Sequence, residues 1–161
     1  MKPRIDFARV SPKVMQAMFG LQNTVNGSGL EANLLELVKM RASQINGCAY
    51  CLDMHSKDAR AAGETEQRLY LLDAWRETSL YSERERAALE WTEALTLIDE
   101  GHVPDAVYAA VREHFSEEEI LNLALAVVAI NGWNRLSIAF RAQPGTYRPG
   151  MHSRTRTAQE A

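Results

Sequence analysis

Apolar residues recur every three or four positions along most of the chain, which is the spacing of α-helices that bury one face. An alternating run of strand length, which a half-buried β-strand would need, does not compete with this pattern. The chain is therefore predicted to be all-α, a single-domain bundle of about six to seven helices. The predicted helices lie at about 11–24, 30–45, 48–62, 66–75, 82–98, 104–114 and 116–140.

Several predicted helix ends carry residues that favour starting or stopping a helix. Ser82 with Glu85, and Ser116 with Glu119, have the spacing of a capping box, in which each side chain bonds the other residue's backbone. Gly47 follows the second predicted helix and can adopt the left-handed backbone conformation that ends one. The next helix is therefore expected to begin at or beside residue 48.

The last predicted helix differs from the others because it is apolar on most faces between residues 120 and 140. Such a helix is expected at the centre of the bundle or against a neighbouring subunit. Prolines and glycines then interrupt the pattern, and the end of the chain is polar. We therefore predict a helical domain over residues 1–142 and a C-terminal tail over 143–161 that is flexible or covers a partner subunit.

Composition narrows the class of protein without identifying it. The 161 residues (18.1 kDa) are 46% hydrophobic and 24% charged, which is ordinary for a soluble globular domain. A net charge of −3 provides no positive field for nucleic acid. The longest apolar run, residues 123–130, is too short to span a membrane, and the N-terminal residues lack the apolar core of a secretory signal. The predicted location is the cytoplasm.

The two cysteines of the chain, Cys48 and Cys51, lie three positions apart, and His55 follows four positions later. On a helix these three side chains share one stripe. At a helix N-terminus, free N–H groups and the helix dipole stabilise a thiolate, so Cys48 is placed to be reactive. A thiolate pair with a proton-exchanging histidine is suited to peroxide or disulfide chemistry.

Two other interpretations stay open on spacing alone. Buried cysteines on a helix can simply be small packing residues. A zinc ion could take both sulfur atoms with His55 and Glu36, although a second Cys/His pair is missing from the sequence. Glu36 lies about 16 Å along its helix from the turn and His55 about 12 Å along the next, so contact is allowed but not required.

These residues resemble the carboxymuconolactone decarboxylase-like superfamily, specifically its alkylhydroperoxidase D-like (AhpD-like) branch. The glutamate twelve residues before the first cysteine, the CxxC pair and the histidine four residues after it form a specific pattern. The resemblance covers about residues 12–140 and is carried by Leu34-Leu35-Glu36-Leu37-Val38, Arg41-Ala42-Ser43-Gln44-Ile45-Asn46-Gly47-Cys48, Cys51, His55, Gly63, Glu85-Arg86-Ala87-Ala88-Leu89, Glu93-Ala94-Leu95-Thr96 and Asn131-Gly132-Trp133-Asn134-Arg135.

The resemblance implies an all-helical domain that assembles as a homo-trimer or homo-hexamer, and a thiol-dependent peroxidase. It implies that Cys51 is the peroxidatic thiol and Cys48 the resolving thiol, with Glu36 and His55 as the proton relay. The substrate would be a hydroperoxide, and a lipoyl or thioredoxin-like dithiol would be the reductant. No metal, haem or flavin cofactor is implied, and neither nucleic acid nor membrane is an expected partner.

One position departs from the best-characterised members of the branch, which carry a histidine just before the second cysteine. This chain has Tyr50 there, a residue that can donate a hydrogen bond but is a poor base near neutral pH. Tyr50 is interpreted equally well as a hydrogen-bond donor in the site or as a packing residue at the pocket mouth. The alternative function is a non-enzymatic redox-sensing or assembly module that uses the same disulfide.

Overall fold

The computed structural model describes residues 2–151, and the regular secondary structure in that range is entirely helical. This confirms the all-α prediction. A 3-10 helix, Leu72–Glu77, follows α5 directly. The α-helices are α1 (Phe7–Val10), α2 (Pro12–Asn26), α3 (Ala32–Asn46), α4 (Ala49–Ala61), α5 (Glu66–Leu71), α6 (Glu83–Thr96), α7 (Ile98–Gly101), α8 (Asp105–Arg112) and α9 (Glu117–Phe140).

Most predicted helix ends are confirmed. The Ser82–Glu85 and Ser116–Glu119 pairs both form complete capping boxes, at the starts of α6 and α9. The helix predicted over residues 82–98 instead ends at Thr96. Leu97 has φ −100° and ψ 43°, outside the helical region, so the chain restarts as the single turn α7.

The long helix α9 lies at the centre of the fold, as its apolar composition predicts. It packs against α2, α3 and α6. Residues on its buried faces, such as Leu123 and Val127, belong to the largest hydrophobic cluster of the described residues. By length and composition alone α9 would also suffice to cross a membrane, but here it packs inside a helical bundle. Its packing leaves Leu121 and Val128 exposed on one side.

The helices α3 and α4 form the hairpin that carries the cysteines. A second hydrophobic cluster, which includes Leu37 on α3 and Ala59 on α4, holds the two helices together. A third, smaller cluster contains both cysteines together with Ala42 and Ile130. The cysteine pair is therefore packed between the turn of the hairpin and the central helix.

The segment after α9 begins at Arg141, whose left-handed backbone (φ 58°) ends that helix. Residues 143–151 then run against α4, where the Gly145 N–H donates to the Asp53 carboxylate. Residues 152–161 lie outside the described residues. The division into a helical domain and a flexible tail therefore stays a prediction.

Candidate active site

The turn between α3 and α4 fixes the position of Cys48. Gly47 adopts the left-handed conformation (φ 67°), and the N–H groups of Gly47 and Cys48 donate to the carbonyls of Gln44 and Ser43. Cys48 is also the N-cap of α4, because its Sγ accepts a hydrogen bond from the Cys51 N–H at 3.3 Å. The same residue thus closes one helix and opens the next.

Cys48 and Cys51 form a disulfide, with their Cα atoms 5.3 Å apart. Each residue is only 1% exposed. Cys51 contributes to the wall of a cavity of about 620 Å³, whereas Cys48 packs behind it against Ala42 and Ile130. The two sulfur atoms are therefore inequivalent, since Cys51 faces the cavity and Cys48 caps the helix.

Glu36 and His55 meet across the hairpin. His55 Nδ1 donates to Glu36 Oε2 at 2.8 Å, and Lys39 Nζ donates to Glu36 Oε1 at the same distance. Burial alone would raise the pKa of Glu36, but the hydrogen bond from His55 and the charges of His55 and Lys39 outweigh it and lower that pKa from 4.5 to about 2. Glu36 is thus a carboxylate that orients the imidazole.

Asp58 and Tyr147 complete the polar part of the cavity, and the sequence did not single out either. The Tyr147 hydroxyl donates to both carboxylate oxygens of Asp58 at 2.8 Å. Burial and the nearby charge of Glu36 raise the pKa of Asp58, although the hydrogen bond from Tyr147 opposes this shift. Asp58 lies seven positions after Cys51, on the same stripe of α4, and this spacing was the available signal.

Tyr50 both lines the cavity and packs beside the disulfide, so the structure accommodates each of its two interpretations. Burial raises the pKa of its phenol, and the charges of Asp53 and Asp58 raise it further. Tyr50 therefore stays protonated near neutral pH. It can serve as a hydrogen-bond donor or as a packing surface, but not as a base.

A buried polar network supports the disulfide from behind. Asn134 is fully buried on α9, accepts from Asn46 Nδ2 at 2.9 Å and donates to Ser43 Oγ at 3.1 Å. Asn46 Nδ2 also bonds Asn131 Oδ1 at 2.9 Å. Since Ser43 and Asn46 belong to the last turn of α3, this network ties the residues just before Cys48 to the central helix.

Glu36, His55 and Asp58 are the described residues that could together approach a metal ion, because their ligand atoms lie within 4.8 Å of one another. The Lys39 ammonium already bonds Glu36, which disfavours a further cation there. The zinc interpretation would need both cysteines as thiolates, and in this structure they are bonded to each other.

The cavity collects contributions from both ends of the described chain. Its polar groups gather around Glu36, His55 and Asp58, and most of the remaining wall is apolar. Phe19 and Trp133 form part of that apolar wall, with ring centroids 5.4 Å apart. The lining residues are Pro3, Ile5, Asp6, Met15, Phe19, Gln22, Asn26, Glu36, Lys39, Tyr50, Cys51, Met54, His55, Asp58, Trp133, Ser137, Ala142, Gln143, Tyr147 and Gly150.

The fold and the site together define an all-helical protein with a CxxC disulfide beside a Glu–His pair. The sequence profile of the carboxymuconolactone decarboxylase family matches residues 12–94, about half of the chain. The chain belongs to this family, and within it to the AhpD-like branch.

Comparison with individual proteins agrees with this assignment. The chain is 47% identical over 139 residues to the uncharacterized protein YdfG of Bacillus subtilis, which covers 86% of this chain and 95% of YdfG. A crystal structure from Agrobacterium tumefaciens has a TM-score of 0.88 at 46% identity, covering 91% of this chain and all of that one. It is described as a protein of unknown function with a provisional role in AhpD-type antioxidant defence.

A more distant structure shows how widely the fold is used. The debrominase Bmp8 has a TM-score of 0.75 at 22% identity, covering 84% of this chain and 73% of that one. At this identity the likeness shows the shared fold alone. Because one fold can carry different reactions, the reaction of this chain has to be argued from its site.

Proposed function

We propose that this protein is a thiol-dependent peroxidase that reduces hydroperoxides through a Cys48–Cys51 dithiol/disulfide cycle. The observation that carries the proposal is that Cys51 and the His55–Glu36 pair face one cavity. A reacting thiol, a proton-exchanging group and room for a substrate are thereby combined. The provisional antioxidant role of the A. tumefaciens relative supports the same assignment.

In the proposed cycle the reduced enzyme reacts first through Cys51. His55 takes the thiol proton, and the Cys51 thiolate attacks the terminal oxygen of the hydroperoxide, so that the O–O bond breaks. The departing alkoxide takes a proton from the His55 imidazolium and leaves as an alcohol. Cys51 is then a sulfenic acid, oxidised by two electrons. Glu36 accepts the Nδ1–H bond throughout and stabilises the imidazolium.

Cys48 then resolves the sulfenic acid. Its thiolate attacks Cys51 Sγ, hydroxide leaves as water after taking a proton, and the disulfide seen in the structure forms. The N-cap position supports this role, because the free N–H groups at the start of α4 stabilise the Cys48 thiolate. A lipoyl or thioredoxin-like dithiol would supply two electrons to restore both thiols.

We further propose that the protein works as a homo-oligomer, a trimer or a hexamer, in the cytoplasm. Leu121 is 72% exposed and Val128 is 58% exposed, and they lie seven positions apart on one face of α9. An apolar pair on the central helix is suited to contact with a second copy. The cytoplasm supplies the reducing equivalents that a cycling disulfide needs.

The peroxidase proposal is tested by stopped-flow measurement of the pre-reduced protein with cumene hydroperoxide. Wild-type protein should oxidise much faster than free cysteine, and Cys51→Ser should remove the fast phase. Cys48→Ser should keep one rapid oxidation, to the sulfenic acid, but form no intramolecular disulfide. A wild-type rate equal to that of free cysteine, unchanged in Cys51→Ser, would reject the peroxidase.

The same samples separate the alternative redox-sensing or assembly module from the enzyme. A module of that kind turns over slowly but changes its association state when the disulfide is reduced. Light scattering with and without dithiothreitol measures this change. Val128→Lys serves as the interface variant, because a charge on the exposed face should lower the oligomer mass if α9 forms the contact.

A further inference from the structure

The described end of the chain is attached to α4 beside the cavity. We call residues 143–151 the C-terminal strap. The Gly145 N–H donates to Asp53 Oδ2 at 2.9 Å, and Lys57 Nζ donates to the carbonyl oxygen of Tyr147 at 3.2 Å. These two bonds hold the strap along one edge of α4, four residues apart on the helix.

A third attachment reaches into the cavity itself. Tyr147 is 5% exposed although its neighbours in the strap are exposed, and its hydroxyl donates to Asp58. Asp58 in turn lies within 4.8 Å of Glu36 and His55. Of the three attachments, the Tyr147 bond is the one that ends on the group of polar residues in the cavity, Glu36, His55 and Asp58.

The strap forms part of the wall of the cavity into which Cys51 faces. Gln143, Tyr147 and Gly150 all line the cavity, as does Cys51. Since Cys51 is 1% exposed, a thiol that attacks it has to enter through this space. The position of the strap therefore sets the width of the cavity for an incoming reagent.

We propose that Tyr147 is a specificity-determining residue, whose bond to Asp58 holds the strap in place and limits the size of the thiol that reaches Cys51. The proposal deepens the proposed function by adding a size filter to the reductive half of the cycle. The proposal concerns only the reduction of the Cys48–Cys51 disulfide, so it does not depend on whether peroxide is the oxidant.

The chemistry of the Tyr147–Asp58 pair favours a stable attachment of the strap. A hydroxyl bonded to a carboxylate in a partly dry site makes a stronger hydrogen bond than a neutral pair. Burial raises the pKa of the Tyr147 phenol, and the bond to Asp58 raises it further, so the hydroxyl stays a donor. The Lys57 and Gly145 bonds lie nearer to solvent, where water competes for them.

The step that the strap filters is thiol–disulfide exchange. A thiolate of the reductant attacks Cys51 Sγ, the Cys48–Cys51 bond breaks, and Cys48 leaves as a thiolate. The second thiolate of the reductant then attacks the mixed disulfide and releases Cys51. The reductant becomes a disulfide, this protein gains two electrons, and two protons from solvent restore its thiols.

The test measures reduction of the oxidised full-length protein by dithiothreitol, a small dithiol, and by reduced thioredoxin, a folded protein dithiol. The measured quantity is the ratio of the thioredoxin rate constant to the dithiothreitol rate constant. Tyr147→Phe keeps the ring and removes the hydroxyl. It should raise the ratio about tenfold, the change expected on losing one hydrogen bond to a charged group.

Two further variants keep the result decisive. Asp53→Ala combined with Lys57→Ala removes the other attachments and should also raise the ratio. Tyr70→Phe is the matched control, because Tyr70 is 74% exposed on α5, and its ratio should equal that of wild type.

An unchanged ratio in folded Tyr147→Phe would overturn the proposal, and so would equal loss of both rate constants, which indicates a purely structural role. Because peroxide is absent from this assay, failure of the peroxidase proposal would leave its outcome intact. Conversely, a failed size filter would leave the stopped-flow peroxide measurement unaffected.

Discussion

His55 Nδ1 lies 2.8 Å from Oε2 of Glu36, so the imidazole on α4 is hydrogen-bonded to a carboxylate nineteen residues earlier on α3. The other oxygen of that carboxylate accepts from Lys39. With both oxygens occupied, the carboxylate has little freedom to turn. The orientation of His55 toward the cavity is therefore tied to the packing of the hairpin.

The lowered pKa of Glu36 makes a prediction about acid stability. Because its folded pKa is about 2, below the ordinary 4.5, its stabilisation is present above pH 4.5 and is lost as the pH falls toward 2. Above pH 4.5, the unfolding free energy of wild type should exceed that of Glu36→Gln by up to roughly 3 kcal/mol. Urea unfolding across the pH range measures how that advantage shrinks.

The matched control for this measurement is Glu77→Gln, since Glu77 is exposed at the end of the 3-10 helix. This substitution at an exposed position should change the unfolding free energy by less than about 0.5 kcal/mol. An advantage of wild type over Glu36→Gln that stays constant from pH 4.5 to 2 would contradict the assigned pKa.

The His55–Glu36 pair also predicts how the reduced cysteines titrate. In His55→Ala the cysteine thiol loses the group that is proposed to accept its proton. The apparent pKa of the more acidic thiol should therefore rise, by about one unit or more. Ultraviolet absorbance of the thiolate during a pH titration measures this. His114→Ala, a histidine outside the cavity, should titrate like wild type, and an equal curve for His55→Ala would argue against the relay.

Substitution of Gly47 should strain the backbone without causing a steric clash. Its φ of 67° is left-handed, and a Cβ there would meet nothing within 4 Å. Gly47→Ala should therefore lower the unfolding free energy by about 1 to 2 kcal/mol through backbone strain alone. Gly20→Ala is the matched control, because Gly20 lies inside α2 with equal space, and alanine should stabilise it by up to about 1 kcal/mol. Equal effects at the two glycines would refute the conformational explanation.

Substitution of Asn134 tests how much the polar network behind the disulfide stabilises the fold. Asn134→Ala removes the donor to the buried Ser43 hydroxyl, while Asn46 Nδ2 keeps Ala42 and Asn131 as acceptors, so the change should cost about 1 to 3 kcal/mol of unfolding free energy. Urea denaturation measures the loss. Asn33→Ala, at an exposed position of α3, should change stability by less than about 0.5 kcal/mol. A loss at Asn134 no larger than that at Asn33 would show that water replaces the network.

The helices and the place of Cys48 could be predicted because local signals determine them. The capping boxes of α6 and α9 depend on residues three positions apart, and Gly47 marks the end of α3. The Glu36–His55 contact could not be derived from spacing, since it depends on the angle at which two helices cross. That angle is set by long-range packing, including that of Leu37 and Ala59.

Asp58 and Tyr147 escaped prediction for different reasons. Asp58 lies on the stripe of Cys51 and His55, but a lone carboxylate on a helix usually faces water. Tyr147 lies in a segment broken by prolines and glycines, where no periodicity indicates which side chains are buried. Its burial arises only when that segment docks on α4, which is a tertiary event.

The anchoring of the first residues has a practical consequence for any assay of this protein. The Arg4 backbone N–H and guanidinium donate to the carbonyls of Phe140 and Ala139 at the end of α9, and Pro3 and Ile5 line the cavity. An affinity tag fused ahead of Lys2 would lie beside residues that line the cavity. Rates measured on tagged protein would then report on the tag as well as on the protein itself, so cleaved protein is the proper reagent.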